Sequence, residues 1–212
     1  MKKVVILISG RGSNLQALLS AQLPCNITAV ISNRADAGGL DIANQYGIPS
    51  RVLAHRDYAD RESFDAALAK LIDGYQPDFV VLAGFMRILT AGFVKQYYGR
   101  LINIHPSLLP AYAGMNTHER ALQDGVKIHG CTVHYVTPDL DHGPIIIQAA
   151  VPVFSGDSAQ SLAARVLKEE HLIYTQAISW LCTGQVTLNT NDKVVYTQKQ
   201  VKGATLISPN LE

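Results

Sequence analysis

Neither sign of charge predominates in this sequence: 18 lysines and arginines stand against 17 aspartates and glutamates. No basic block breaks that balance, and aromatic residues make up only 7%, so the electrostatic footprint and the stacking platform of a nucleic-acid partner are both missing. Small-molecule partners fit better. Cysteine is scarce too. Cys25, Cys131 and Cys182 are odd in number and widely separated, with the spacing of neither a zinc site nor a redox pair, and they read as reduced core thiols. Long hydrophobic runs are absent. Val4 to Ile8 follows Lys2-Lys3 and stops at Ser9-Gly10-Arg11, too short for a signal peptide's apolar region, and no later run approaches membrane-spanning length. The expectation is an unexported, cytoplasmic chain, monomeric or homodimeric, with no membrane partner.

What the sequence does have is strands alternating with helices. Its 212 residues suffice for one domain that buries roughly 70% of the unfolded chain's surface. Lys3 to Ser9 is a continuous apolar strand that runs into Gly10-Arg11-Gly12-Ser13-Asn14, after which Leu15, Leu18 and Leu19 keep helical spacing. Strand, glycine turn and helix in that order aim backbone N–H groups at one point and suit a phosphate monoester, with Ser13 and Asn14 adding side-chain donors. A merely structural tight turn is the alternative. A dinucleotide fits less well, because Leu15 replaces the third glycine of that fingerprint and Ile27 to Ile31 ends in Ser32-Asn33, not in an acid.

Further units follow. Leu40 to Tyr46 reads as a short helix, Ser50 to Leu53 as a third strand, and Asp60 as the cap of a helix bearing Phe64, Ala67, Leu68, Leu71, Ile72 and Tyr75. Phe79 to Ala83 is a fourth, wholly apolar strand, and Thr90 to Tyr98 a helix. Between them, Gly84-Phe85-Met86-Arg87-Ile88-Leu89 suits the wall of an apolar pocket for a flat ligand, or equally a core loop from which Arg87 snorkels. The second half changes character. After a helix from Thr117 to Asp124, strands Ile128 to Val136 and Pro144 to Val151 flank the polar connection Thr137 to Gly143, which reads as a hairpin. Asp157 is placed to cap a long amphipathic helix from Ser158 to about Leu181, and a hairpin around Asn191-Asp192 with a loose tail ends the chain. The fold class is α/β and Rossmann-like: a mixed sheet, parallel in its N-terminal part with helices on both faces, antiparallel near its C-terminal part.

Two polar side chains interrupt the buried run Leu101 to Ile104. Asn103 and His105 share a face, since alternate strand residues do, near the C-terminal end where open α/β sheets place ligands. An amide donor beside an imidazole suits a reaction that builds negative charge on a carbonyl oxygen. A structural histidine satisfied by backbone is the plain alternative. Ser107, His105 and Asp141 could on paper form a serine hydrolase, but no nucleophile elbow surrounds Ser107. A metal set drawn from His105, His118, His129, His134, His142 and Asp141 matches no usual ligand spacing.

Three stretches carry a resemblance. Ser9-Gly10-Arg11-Gly12-Ser13-Asn14, Asn103-Ile104-His105-Pro106-Ser107-Leu108-Leu109-Pro110 and Asp141-His142-Gly143-Pro144-Ile145-Ile146, in that order and spacing, resemble the folate-dependent formyltransferases, and among them those formylating glycinamide ribonucleotide in purine synthesis. The likeness runs from Lys3 to about Gly184 and implies a Rossmann-like formyltransferase domain with a phosphate-binding half 1–104 and a folate and catalytic half 105–184; with the C-terminal hairpin and tail 185–212 the expectation is a single domain over 1–212. It implies 10-formyltetrahydrofolate as formyl-donor co-substrate, glycinamide ribonucleotide as acceptor, and no metal; an amino sugar nucleotide is the alternative acceptor. Asn103, His105 and Asp141 would be catalytic, while Arg11, Gly12, Ser13 and Asn14 would hold the ribose phosphate and Glu170 would meet the glycinamide end. Arg61, Met86, Arg87, Ile88, Leu89, Asn103, Thr137, Pro138, Asp139, Leu140 and Asp141 would surround the folate. Two departures stand out: His142 replaces a frequent glycine, and Ala113-Gly114 replaces a Pro-Gly or Arg-Gly pair. In an extended loop His142 would face away from the site that Asp141 faces, toward solvent.

Overall fold

A computed structural model describes residues 1–197. The first strands are β1 (Lys2–Ile8), β2 (Cys25–Ser32), β3 (Ser50–Val52), β4 (Phe79–Leu82) and β5 (Leu101–His105); β1, β4 and the second half of β2 are buried on both faces, while β3, at the sheet edge, is largely exposed. With β6 (Ile128–Tyr135) and β7 (Ile145–Pro152) they form one sheet in the order β3-β2-β1-β4-β5-β6-β7. Strands β1 to β5 pair in parallel, while β6 runs antiparallel to β5 and to β7.

Because the side-chain period of a strand is two, β1 serves two cores at once. Val4, Ile6 and Ile8 face the core closed by α1 (Ser13–Ser20), α2 (Gly39–Gln45), α5 (Thr117–Gln123) and α6 (Ala159–Thr183). Val5 and Leu7 face the core closed by α3 (Arg61–Asp73) and α4 (Ala91–Gln96). Helix α3 starts at the expected Asp60, whose carboxylate accepts from Ser63 N–H at 2.7 Å. Two other caps differ from expectation. Thr90 lies outside α4 and caps it, and Ser158, not Asp157, caps α6. Asp157 is instead drawn away by Arg165, 2.8 Å from it, a bidentate partner that outbids a helix N–H.

A small antiparallel pair, β8 (Val186–Leu188) and β9 (Val194–Tyr196), forms the hairpin expected around Asn191-Asp192; the expected tail from residue 198 lies outside the described residues. Cys25 and Cys182, far apart in sequence, are free thiols that come close enough for Cys182 to lower the pKa of Cys25 against the opposing effect of burial. The wide sequence spacing gave no sign of that contact.

The chain moves outward from β1 to β3 and then returns to β4 on the other side of β1. That reversal opens a crevice at the strand ends, where α/β folds bind ligands. Leu7, Leu82 and Asn103 lie in register, so Ser9, Gly84 and His105 mark one level, two residues further along each strand.

Candidate active site

Alternation along β5 puts Asn103 and His105 on one face, and the antiparallel register sets His134 opposite Asn103 and Thr132 opposite His105. His134 Nδ1 is 2.9 Å from the Tyr135 carbonyl, an acceptor that requires the proton on Nδ1 and leaves Nε2 of the neutral ring as an acceptor. Asn103 Nδ2, 3.2 Å away, donates to it. Burial holds the His134 pKa below its ordinary value, against the opposing pull of the Tyr135 carbonyl and Asp141. The ring is therefore neutral, and its 4.0 Å approach to Asp141 is not an ion pair. One amide hydrogen of Asn103 is thus committed, and the other is free for a substrate oxygen.

His105 donates from Nε2 to the Tyr112 carbonyl at 2.9 Å. Its Nδ1 lies 3.4 Å from Asp141 Oδ2, with only 8% and 9% of the two side chains exposed. That separation exceeds a full hydrogen bond, so the Nδ1 edge is the one left for chemistry. Gly114 N–H fixes Asp141 Oδ2 from the other side at 2.9 Å. Tyr112 and Asp141 are in the left-handed region, with φ of 55° and 54°, so the loop is not the extended segment expected from sequence. His142 is nonetheless exposed, its Nδ1 donating to the Leu140 carbonyl at 2.9 Å. Gly143 is sterically required: a Cβ there would lie 1.7 Å from the Tyr135 carbonyl oxygen.

At the end of β1, Gly12 precedes α1 with φ +85°, and a Cβ on it would meet Gly39 Cα at 2.6 Å. The turn is thus a packing device as well as a candidate anion site. No side chain caps α1, which leaves its first-turn N–H groups available. Arg11 is exposed and Ser13 half-buried. Asn14 turns the other way: its Nδ2 donates to Glu170 Oε2 at 2.8 Å. Burial raises the Glu170 pKa, opposed by the Asn14 bond and by the charge of His105. One turn further along α6, the Tyr174 hydroxyl donates to the Leu82 carbonyl at 2.9 Å and so fixes Glu170 relative to β4.

Past β4, Met86 and Ile88 are 72% and 59% exposed, an apolar edge with nothing over it among the described residues. Arg87 differs: its guanidinium lies 4.7 Å from the buried Phe64 ring centroid and does not snorkel outward, while Leu89 is half-buried. Arg61 opens α3, which runs back from the strand ends, and is exposed. In the connection after β6, Thr137 is half-buried and Pro138, Asp139 and Leu140 are exposed.

Two other chemistries are disfavoured by the same geometry. Ser107 donates its hydroxyl to the Ala111 carbonyl at 2.6 Å, so His105 does not activate it. No three His, Cys, Asp or Glu side chains among the described residues group as a metal would need. A family model described as formyl transferase matches residues 2–178. The chain belongs to that family. Among formyltransferase relatives, it is 51% identical over 192 residues to phosphoribosylglycinamide formyltransferase of Escherichia coli (strain K12), covering 89% of this chain and 91% of the relative. It is 46% identical over 202 residues to the trifunctional purine biosynthetic protein adenosine-3 of Homo sapiens, covering 93% of this chain but 20% of that longer polypeptide. The crystal structure of glycinamide ribonucleotide transformylase 1 from Symbiobacterium toebii superposes with a TM-score of 0.90 at 43% identity, over 93% of this chain and 95% of that one. The formyltransferase fold matches the mixed sheet expected from sequence. His134 is the site residue that sequence reasoning missed, having been weighed only as a metal ligand; its one signal was its position opposite Asn103, visible only once β5 and β6 are paired.

Proposed function

We propose that this formyltransferase moves the formyl group of 10-formyltetrahydrofolate to the amine of glycinamide ribonucleotide, a step of purine biosynthesis. The observation that carries the mechanism is the free Asn103 amide hydrogen beside the His105 Nδ1 edge on one face of β5. Attack by the amine on the formyl carbon gives a tetrahedral oxyanion. Asn103 and His105 donate to that oxygen, and preorganised donors of this kind are worth roughly 3–4 kcal/mol each. Asp141, held by Gly114, balances the charge on His105 and takes the amine's proton on its way to the departing folate nitrogen.

Substrate positioning follows the same edge of the sheet. Arg11, Gly12, Ser13 and Asn14 hold the ribose phosphate, and Glu170 meets the glycinamide end. Met86 to Leu89, Thr137 to Asp141 and Arg61 surround the folate, the exposed Met86 and Ile88 supplying apolar contact. No helix among the described residues is long and apolar enough to cross a membrane. The same proposal places the enzyme in the cytoplasm, as a monomer or homodimer, acting without a metal.

A formyl-transfer assay offering glycinamide ribonucleotide, an amino sugar nucleotide, methionyl-tRNA and water as acceptors tests the substrate. Preference for any acceptor but the first overturns it. Asn103→Ala and His105→Ala are each expected to lower kcat by about 10²–10³ while substrate affinity changes little. A loss confined to KM would remove both from the catalytic role.

A further inference from the structure

Three strand ends meet in one buried hydrogen-bond relay that the proposed chemistry does not use. Ser9, just past β1, is 3% exposed, and Asn33, just past β2, is 4% exposed. The Ser9 hydroxyl donates to Asn33 Oδ1 at 2.6 Å and accepts the backbone N–H of Met86, beyond β4, at 2.7 Å. His55 Nδ1 also lies against Asn33, 3.0 Å from its backbone carbonyl and 3.2 Å from its Nδ2, and it serves either as donor to the first or as acceptor from the second. A carbonyl oxygen can only accept, so the single Ser9 proton is spent on Asn33, and its lone pairs are turned to Met86. The backbone of Ser9 leads directly into the phosphate turn. Its side chain fixes the start of the Met86–Leu89 segment on the far side of the crevice.

We propose that Ser9, oriented by Asn33, is a positioning residue that sets the Met86–Leu89 segment for the folate co-substrate. This rests on the assignment of that segment to folate. The physical case is that Met86 and Ile88 are themselves exposed, so their placement falls to the anchors around them: the Met86 N–H bond to Ser9 at the start of the segment, and Arg87 on Phe64 and Thr90 N–H on Asp65 further along. Removing the hydroxyl leaves a buried Asn33 oxygen and the Met86 N–H without partners, a change whose cost is relieved by moving the segment. The phosphate turn keeps its backbone, because Ser9 enters it through main chain alone.

Calorimetry with tetrahydrofolate and with glycinamide ribonucleotide, each alone, tests the idea on the whole chain as Ser9→Ala, Asn33→Ala and the double variant. The tetrahydrofolate Kd is expected to rise about tenfold in Ser9→Ala while the ribonucleotide Kd stays within about twofold. The two single effects should not add in the double variant, since both act through one bond. Hydrogen exchange at the Met86 amide should quicken in either variant. If Ser9→Ala does not fold, Asn33→Ala reads the same relay. Unchanged Met86 exchange and unchanged tetrahydrofolate affinity in a folded variant would overturn the proposal, as would equal weakening of both ligands. Failure of the unsubstituted chain to bind tetrahydrofolate would instead overturn the folate assignment itself.

Discussion

The Asn103 carboxamide and the His134 imidazole face each other across the β5–β6 pair, Nδ2 3.2 Å from Nε2. His134 thus chooses which way the amide points, and with it whether an N–H or a carbonyl oxygen is presented to substrate. His134→Leu is expected to lower kcat at least about tenfold with little change in KM, because the amide can then turn its acceptor to the oxyanion. His134→Gln, which offers an acceptor of similar reach, should recover part of the loss. Steady-state kinetics decide it, and a change in KM alone would show that His134 serves binding.

Asn14 spends its side-chain amide on Glu170, so its part in holding a phosphate falls to its backbone N–H in the first turn of α1. Burial already raises the Glu170 pKa, and the Asn14 bond opposes that rise. In Asn14→Ala the pKa should climb further, so the carboxylate is lost at a higher pH as pH falls. Glycinamide ribonucleotide affinity, measured by calorimetry across pH, should weaken at a higher pH than in the unsubstituted chain, with folate affinity unmoved. Equal pH profiles would detach Glu170 from the acceptor. Gly12 is a poorer probe, since any Cβ there collides with Gly39 and tests packing first.

Asp141 and His142 are neighbours with opposite surroundings, one nearly buried against His105 and the other exposed. Asp141→Asn should cut kcat at least about 10²-fold by removing the charge that supports the imidazolium. His142→Gly should change kcat by less than about threefold, the cost of loosening one loop residue. The reverse pattern in kcat would move the acid–base role by one position.

A histidine pair beneath the site predicts acid sensitivity. His129 is buried against His118, ring centroids 5.2 Å apart, and burial, with His118 adding to it, lowers its pKa from 6.5 to about 4. Between those values the unfolded chain binds a proton that the folded chain refuses. Stability therefore falls as pH drops through that window, by roughly 3 kcal/mol in all for this group. Thermal melts of His129→Phe should show a flatter loss from pH 6.5 to 4 than the unsubstituted chain. Parallel curves would assign the acid sensitivity elsewhere.

Apolar runs and their period made the sheet legible from sequence: β1, β4 and β5 fall where Lys3 to Ser9, Phe79 to Ala83 and Leu101 to Ile104 were read. Asn103 and His105 were found by the same rule, because sharing a strand face is a local property. Partners across the sheet were not local. His134, Asn33 and Gly39 gain meaning only from which strand or helix lies beside them, and no spacing along the chain encodes that. The Asp141 loop was misread as extended because a left-handed aspartate has no mark in sequence, unlike a glycine.

Asn14 and Glu170 are separated by 156 positions along the chain. During synthesis the first five strands can pair while α6 is still unmade, yet Glu170, the carboxylate proposed for the acceptor end of the site, is missing until that helix emerges and docks. Turnover should accordingly be the last property regained on refolding, after the far-ultraviolet signal of the sheet and helices, because it waits on the longest loop closure the site requires.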